Sequence, residues 1–439
     1  MAFLDVFRRE NFLRVNQEMT SFCEVVILWR EKESMKIENC RICSAPDLEA
    51  CIDLGRQPWC NDFITADQVG FEITYPLEAC FCNNCGTLQV SYTVPKEIMY
   101  CEHTYLSGAT KTMKEHFQKV SDFVCNSLVK AKGLVVDIGS NDGTLLSTYR
   151  NNGMDVLGIE ACKKPAEIAT QSGIATEIGF FNYDYAVDIA ERRGKAMVMS
   201  AANVFYHIEE LHSVTKGVSY LLDQDGVFVV QASYLPKLIE SKAFDIMYHE
   251  HLLYYRVENL NYLLNLYDLE IFEIEEAPVH GGSIVAYICH KGKRAISSRV
   301  KQMIEAERLH GYHKIDKYKN FNDDIIAMRE TLVQLIGELK KAGKKIYAYG
   351  APAKGTVLLN FYGLTRKEID LAVEVNHLKF NRYIPCTNIP IVDERTVDEP
   401  DYYLLLSWNF AEEFFRSEAY QSGKRKFIIP VPEPKIYHK

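Results

Sequence analysis

The densest polar group in the chain is Phe244-Asp245-Ile246-Met247-Tyr248-His249-Glu250-His251-Leu252-Leu253-Tyr254-Tyr255. If this stretch is helical, Tyr248 and His251 lie three apart on one face, with Glu250 beside it and His249 turned away. A tyrosine, a carboxylate and an imidazole together can take a proton from carbon and stabilise the resulting oxyanion. Histidine suits that task because an unperturbed pKa of about 6.5 leaves it largely neutral, hence basic, at pH 7. A metal site is the weaker reading, since H-E-H lacks the H-E-x-x-H spacing that turns two imidazoles to one side of a helix. The plain alternative is a solvated helix end with no chemistry.

Cysteines form a second constellation. Cys40-Arg41-Ile42-Cys43 and Cys82-Asn83-Asn84-Cys85 are two C-x2-C knuckles. Each puts two thiolates on one turn, and two turns complete a tetrahedron around zinc. Four thiolates with no open position make a structural site, whose binding energy is folding energy. Cys80 is the main rival ligand, and coincidentally spaced free thiols are the competing explanation.

The third constellation is a cofactor loop. Leu134-Val135-Val136-Asp137-Ile138-Gly139-Ser140-Asn141-Asp142-Gly143-Thr144-Leu145 reads as strand, tight turn, helix. Gly139 and Gly143 let backbone approach a ligand, and Asp137 stands near the strand end. Glu160, which closes Val156-Leu157-Gly158-Ile159-Glu160, follows Asp137 at the interval of a ribose-binding carboxylate. Neither the dinucleotide fingerprint G-x-G-x-x-G nor the G-x4-G-K-[ST] phosphate loop is present. The stretch resembles the first motif of S-adenosylmethionine (SAM)-dependent methyltransferases, which assigns Asp137, Gly139, Asn141, Asp142, Gly143 and Glu160 to the cofactor. The competing reading is an ordinary glycine-rich turn.

These groups need a frame. After Glu160, strand-like runs at Ala196–Met199, Ala202–His207 and Gly226–Gln231 alternate with helical segments, which predicts a largely parallel sheet wrapped by helices. Ligands in such folds sit beyond the carboxyl ends of strands, where Asn203 and His207 fall. His103 and Tyr105 precede an amphipathic packing helix that carries Phe117, Val120, Phe123, Val124 and Leu128. Residues 295–342 are polar with helical spacing and lead into Lys345–Tyr349, a strand entering the Gly350–Gly355 turn. Lys354 precedes Gly355, so this is no P-loop, although Lys354 can still meet a phosphate or simply face solvent.

The expected fold is therefore α/β. A small N-terminal zinc-binding domain precedes a central Rossmann-like SAM-dependent methyltransferase domain, and a second, smaller Rossmann-like domain closes the chain. The expected limits are a 1–34 extension, a zinc domain over 35–95, a methyltransferase domain over 96–290 and a substrate-enclosing domain over 291–439. The 439 residues carry a net charge of −9, which argues against a partner with many phosphates such as nucleic acid. No apolar run of 18 residues offers a membrane span, and the charged start does not resemble a signal peptide. Thirteen cysteines, an odd number, suit a reducing, cytoplasmic setting better than a disulfide framework.

Taken in order, the motifs resemble one family, the sugar C-methyltransferases of deoxysugar pathways. These are SAM-dependent enzymes that methylate C3 of a nucleotide-linked 4-keto-6-deoxyhexose. The resemblance runs from about Cys40 to the end. It rests on the knuckles, Pro76-Leu77, Asp137–Gly143, Asn203-Val204-Phe205-Tyr206-His207, Tyr248–His251, His280-Gly281-Gly282-Ser283, Gly350–Gly355 and Ser407-Trp408-Asn409-Phe410-Ala411. It implies His251 as the base, Tyr248 and Glu250 as its helpers, and Asn203, His207 and Tyr105 in the substrate pocket. His103 replaces the first tyrosine of the family's Y-x-Y-x-S element. Val285 and Arg256 stand where family members usually carry arginine and serine, departures that bear on the identity of the sugar.

Other activities are compatible with parts of this pattern. An O- or N-methyltransferase shares the cofactor loop. A zinc-containing NAD(P)-dependent sugar oxidoreductase would need the missing glycine fingerprint, and a non-catalytic zinc scaffold leaves the Tyr248–His251 cluster unexplained.

Overall fold

The computed structural model describes residues 36–99 and 106–438. The 1–34 extension, His103 and Tyr105 lie outside the described residues. Among those described, the strands, numbered β1 to β18 in chain order, make three sheets.

In the first sheet, β1 (Leu48–Pro58), β2 (Thr74–Cys82) and β3 (Leu88–Val90) run antiparallel, and β9 (Leu253–Tyr254) adds to the edge of β3. A strand from the middle of the chain thus completes the sheet that carries the cysteine knuckles. Its apolar face, with Leu54, Phe81 and Leu88, shares one core with Phe321, Ile325 and Leu332 of the helix Asp316–Lys341. The knuckles themselves pack with Leu260 and Leu263 of the helix Val257–Asn265.

The second sheet contains β4 (Leu134–Ile138), β5 (Asp155–Glu160), β6 (Thr176–Ile178), β7 (Ala196–Ala202), β8 (Leu222–Ser233), β10 (Leu269–Ala277) and β11 (Ser283–His290). Their spatial order is β10-β11-β8-β7-β4-β5-β6. Strands β4 to β8 are parallel, and β11 and β10 return antiparallel. Every residue of β4 is buried, as expected for a continuous apolar strand covered on both faces. The chain order reverses between β4 and β7, which opens a crevice at their carboxyl ends. The predicted packing helix, Lys111–Phe123, covers one face through Met113, Phe117 and Val120.

The third sheet contains β12 (Ile346–Tyr349), β13 (Leu371–Glu374), β14 (Tyr383–Ile384), β15 (Ile389–Asp393), β16 (Tyr402–Leu405), β17 (Phe427–Ile429) and β18 (Lys435–Tyr437). Five parallel strands are flanked by antiparallel β14 and β18, in the order β14-β15-β13-β12-β16-β17-β18. Chain order here reverses between β12 and β16, giving a second crevice of the same kind. The α/β expectation, with two Rossmann-like sheets behind a cysteine-bearing one, is met.

Asn203 and His207 lie beyond the carboxyl end of β7, as expected: the strand ends at Ala202, and Asn203 takes a left-handed φ of 58° that asparagine tolerates. Two local expectations differ. Residues 247–252 form a turn after a short 3-10 segment, Phe244–Ile246, and not a helix. The long helical stretch divides at Gly311 into Ser298–Leu309 and Asp316–Lys341. Among the described residues, no helix is long and apolar enough to cross a membrane.

Candidate functional site

The four knuckle cysteines converge, their sulfurs all within 4.8 Å of one another. Cys40 and Cys85 sulfurs are 3.6 Å apart, and Cys43 and Cys82 sulfurs 3.5 Å. Zinc–sulfur bonds of about 2.3 Å in a tetrahedron place sulfurs about 3.8 Å apart, so the donor set fits zinc. Cys80, the rival ligand, is not in the cluster. Arg256, buried behind the second knuckle, donates to the Gly86 carbonyl at 3.1 Å and pairs with Glu258 at 2.8 Å. This departure therefore braces the zinc turn, while Val285 is buried in β11 opposite Gln231.

At the carboxyl end of the central sheet lies an open cleft, the place where ligands of such folds sit. Gly139, Asn141 and Glu160 line one wall, Cys162, Phe180 and Phe181 another, and Asn203 and His207 a third. Gly139 has φ 68°, and a Cβ there would come within 2.5 Å of Val204, so only glycine brings the loop this close. Glu160 accepts from the Asn141 amide at 2.7 Å and the Cys162 amide at 2.8 Å, which fixes its carboxylate at the cleft.

The rest of the cofactor motif is placed differently from expectation. Asp137 is buried behind the wall, where it accepts from Ser200 Oγ at 2.6 Å. Burial pushes its pKa up to about 7; the Ser200 bond opposes the shift and the Glu160 charge adds to it. Asp142 caps Thr144 and holds the Gly108 amide at 2.8 Å. Asn141 Oδ1 accepts from the Ser107 amide at 2.9 Å. Gly143 takes φ 74° to start the following helix. Asp137, Asp142 and Gly143 build the loop; Gly139, Asn141 and Glu160 form the cleft wall.

Tyr248 and His251 do come together, through the turn and not through helical spacing. Their rings lie 4.0 Å apart, and His251 stacks on His207 at 5.1 Å with an interplanar angle of 24°. Tyr206 packs edge-on against both imidazoles at 4.6 Å. Burial, followed by the charges of Cys60 and Glu250, raises the Tyr248 pKa well above 10, so its hydroxyl stays a donor. His249 turns away as expected: Nε2 lies 3.1 Å from the Pro76 carbonyl, and burial depresses its pKa to about 4. Glu250 accepts from Trp59 Nε1 and Asn61 Nδ2, each at 2.7 Å.

Lys354 is not at the solvent-facing surface. Its ammonium sits 3.6 Å from Asp245 and 4.3 Å over the Trp408 ring, and burial lowers its pKa. The second crevice, beyond β12, β13 and β16, is lined by Gly350, Ala351, Glu374, Lys379, Glu394 and Ser407, among others.

Three family models match consecutive parts of the chain. They are described as "Putative zinc binding domain" over residues 40–100, "Methyltransferase domain" over 112–274 and "C-methyltransferase C-terminal domain" over 278–432. C-methyltransferase NovU of Streptomyces niveus is 30% identical over 406 residues, covering 91% of this chain and 97% of its own length. The chain belongs to the C-methyltransferase family.

Similar solved structures include the PH0226 protein of Pyrococcus horikoshii, 15% identical with a TM-score of 0.35, covering 45% of this chain and all of that one. Magnesium protoporphyrin IX methyltransferase of Synechocystis, solved with bound SAH, is 15% identical with a TM-score of 0.32, covering 40% and 83%. As a C-methyltransferase with a methyltransferase domain spanning this cleft, the protein is a SAM-dependent enzyme with a structural zinc site. The oxidoreductase and scaffold readings are set aside. The cleft suits SAM chemically. Glu160 offers acceptors to ribose hydroxyls, Phe180 and Phe181 offer apolar faces to the base, and Asn203 Oδ1 is buried without a hydrogen-bond partner.

Sequence reasoning passed over Trp59, Asn61 and Tyr206. Trp59 and Asn61 lie 191 and 189 residues from Glu250, and no local periodicity signals such a contact. Tyr206 sits inside a recognised motif, and its aromatic neighbours were the available signal.

Proposed function

We propose that this C-methyltransferase methylates C3 of a nucleotide-linked 4-keto-6-deoxyhexose through an enolate. The observation that carries the reading is the stack of His251 on His207, a residue of the cleft wall. A basic imidazole beside a SAM cleft can take the proton that carbon methylation α to a ketone requires.

Bound SAM supplies an electrophilic methyl group on sulfonium. Gly139, Asn141 and Glu160 are its proposed contacts, with Asp137, Asp142 and Gly143 shaping their loop. His251 takes the C3 proton, made acidic by the C4 ketone, and the electron pair moves into the C3–C4 enolate. The Tyr248 hydroxyl, which keeps its proton, can donate to the enolate oxygen. Glu250 orients this group. Asn203 and His207 are the proposed contacts of the hexose, and the diphosphate needs positive charge that an acidic chain must concentrate locally; Lys354, buried against Asp245, could supply it only by releasing that carboxylate. The domain over 291–439 encloses the nucleotide end, behind the domains proposed over 35–95 and 96–290.

The test is solvent exchange. In D2O with thymidine-diphosphate 4-keto-6-deoxyglucose, wild type should introduce deuterium at C3 and, with SAM, a methyl on the same carbon. A methyl found on oxygen or nitrogen, with no C3 exchange, would overturn the proposal in favour of heteroatom transfer.

A further inference from the structure

We propose that two indole–carboxylate hydrogen bonds, one from the knuckle-bearing sheet and one from the third sheet, hold the Asp245–His251 segment in working register, with Trp59 and Trp408 as positioning residues. The proposal rests on the reading of Glu250 and His251 given above. Trp59 Nε1 donates to Glu250 Oε1 at 2.7 Å, and Trp408 Nε1 donates to Asp245 Oδ2 at 2.7 Å. Trp59 follows β1 of the knuckle-bearing sheet, and Trp408 follows β16 of the third sheet. Two of the chain's three tryptophans thus end on the two buried carboxylates that bracket Tyr248.

The segment between them needs such external support. Residues 247–252 form a turn, so no helical ladder fixes the direction of the Tyr248 and His251 rings. Asp245 is fully buried, and its Oδ1 has no hydrogen-bond partner, so loss of the Trp408 bond leaves a buried carboxylate short of a donor, with Lys354 3.6 Å away. The Trp59 loop is itself anchored to the third domain, where Thr356 Oγ1 donates to the Cys60 carbonyl at 3.0 Å and Ile64 bridges Tyr383. Displacement of a reacting group by about 1 Å can cost on the order of 10²-fold in rate. Zinc then serves catalysis at a distance, by fixing the sheet from which Trp59 extends.

The test replaces each tryptophan in the full-length protein with β-(3-benzothienyl)alanine, which keeps the ring shape and removes the N–H; Trp59→Phe and Trp408→Phe are the simpler versions. Amide hydrogen exchange of residues 244–252 in the substrate-free protein should rise about tenfold, with unchanged exchange over 134–160. Methylation of thymidine-diphosphate 4-keto-6-deoxyglucose should fall about tenfold in kcat, with SAM affinity and zinc content retained. In a Glu250→Ala background, which removes the acceptor, the Trp59 replacement should have no further effect on kcat, because both act through one carboxylate, whereas the Trp408 replacement should still act. Unchanged exchange over 244–252, or a Trp59 effect that multiplies fully onto Glu250→Ala, would overturn the proposal. Raised exchange in the tryptophan variants together with wild-type kcat in Glu250→Ala would uphold the hold on the segment and reject the catalytic reading of Glu250.

Discussion

Glu160 at the end of β5 and Glu374 at the end of β13 occupy matching places in two Rossmann-like sheets. Each carboxylate accepts one backbone amide of a glycine-containing turn, Asn141 at 2.7 Å in the first and Ala351 at 3.0 Å in the second, and one from just beyond its own strand, Cys162 and Val375, each at 2.8 Å. The surroundings diverge. Phe180, Phe181 and His207 stand in the first crevice, whereas in the second Lys379 donates to the Ala351 carbonyl at 2.7 Å and Tyr349, Glu394 and Phe414 share the lining. Asp137 lies two residues before Gly139, and Ala348 lies two before Gly350. A strand–turn–helix unit thus fixes where a carboxylate stands, and the neighbouring loops decide which ligand chemistry surrounds it.

Both crevices share cores with the cysteine-bearing sheet, so disrupting that sheet should remove the comparison altogether. Structural zinc contributes about 10–16 kcal/mol in isolated peptides, comparable to the whole ~5–15 kcal/mol net stability of most domains. Cys82→Ser should lose zinc and soluble, folded protein together. Active, soluble Cys82→Ser protein without zinc by elemental analysis would break this link.

His251 adjoins the first crevice through its stack on His207. His251→Asn should retain SAM affinity while losing ~10²–10⁴ of the methylation rate, along with C3 exchange. Tyr248→Phe should lose less, since it removes a donor and not the proton acceptor, and His249→Asn least. A greater loss at His249 would identify it as the base.

The paired carboxylates sharpen the contrast directly. Glu160→Gln should weaken SAM binding about tenfold, the order of one hydrogen bond to a charged group, and Glu374→Gln should leave it unchanged. Equal effects in calorimetry would mean that the two crevices are not distinct in cofactor use.

The smallest expected effect concerns Asp137, which has no counterpart at Ala348. Its folded pKa, about 7, is raised above the unfolded value of 3.8. The folded state therefore holds a proton that the unfolded state releases, and this contribution to stability is lost as pH rises from about 4 to about 7. Asp137→Asn should flatten that part of the stability–pH curve measured by urea unfolding in the absence of SAM. An unchanged slope would show that Asp137 is ionised when buried.

Much of this architecture was legible because the signals were local. The apolar run of β4 ends at Gly139, the C-x2-C pairs place two thiols on each turn, and the alternation of strands with helices implies parallel sheets. The Tyr248–His251 pairing was anticipated through helical spacing, yet the segment is a turn, and the rings meet because Tyr206 and His207 pack against His251. Asp137 illustrates the converse: its position in the motif was clear, but whether it faced the cleft or Ser200 depended on the register of β7 beside β4.

Residue type and spacing by themselves determined the zinc ligands, the two strand–glycine–helix units and the order of the domains, because each depends on contacts within one turn or one strand. Tertiary structure alone decided that Trp59 and Asn61 hold Glu250, that Lys354 is buried against Asp245, and that His207 stacks on His251. Those contacts join residues far apart in sequence, and only the packing of the three sheets sets their distances.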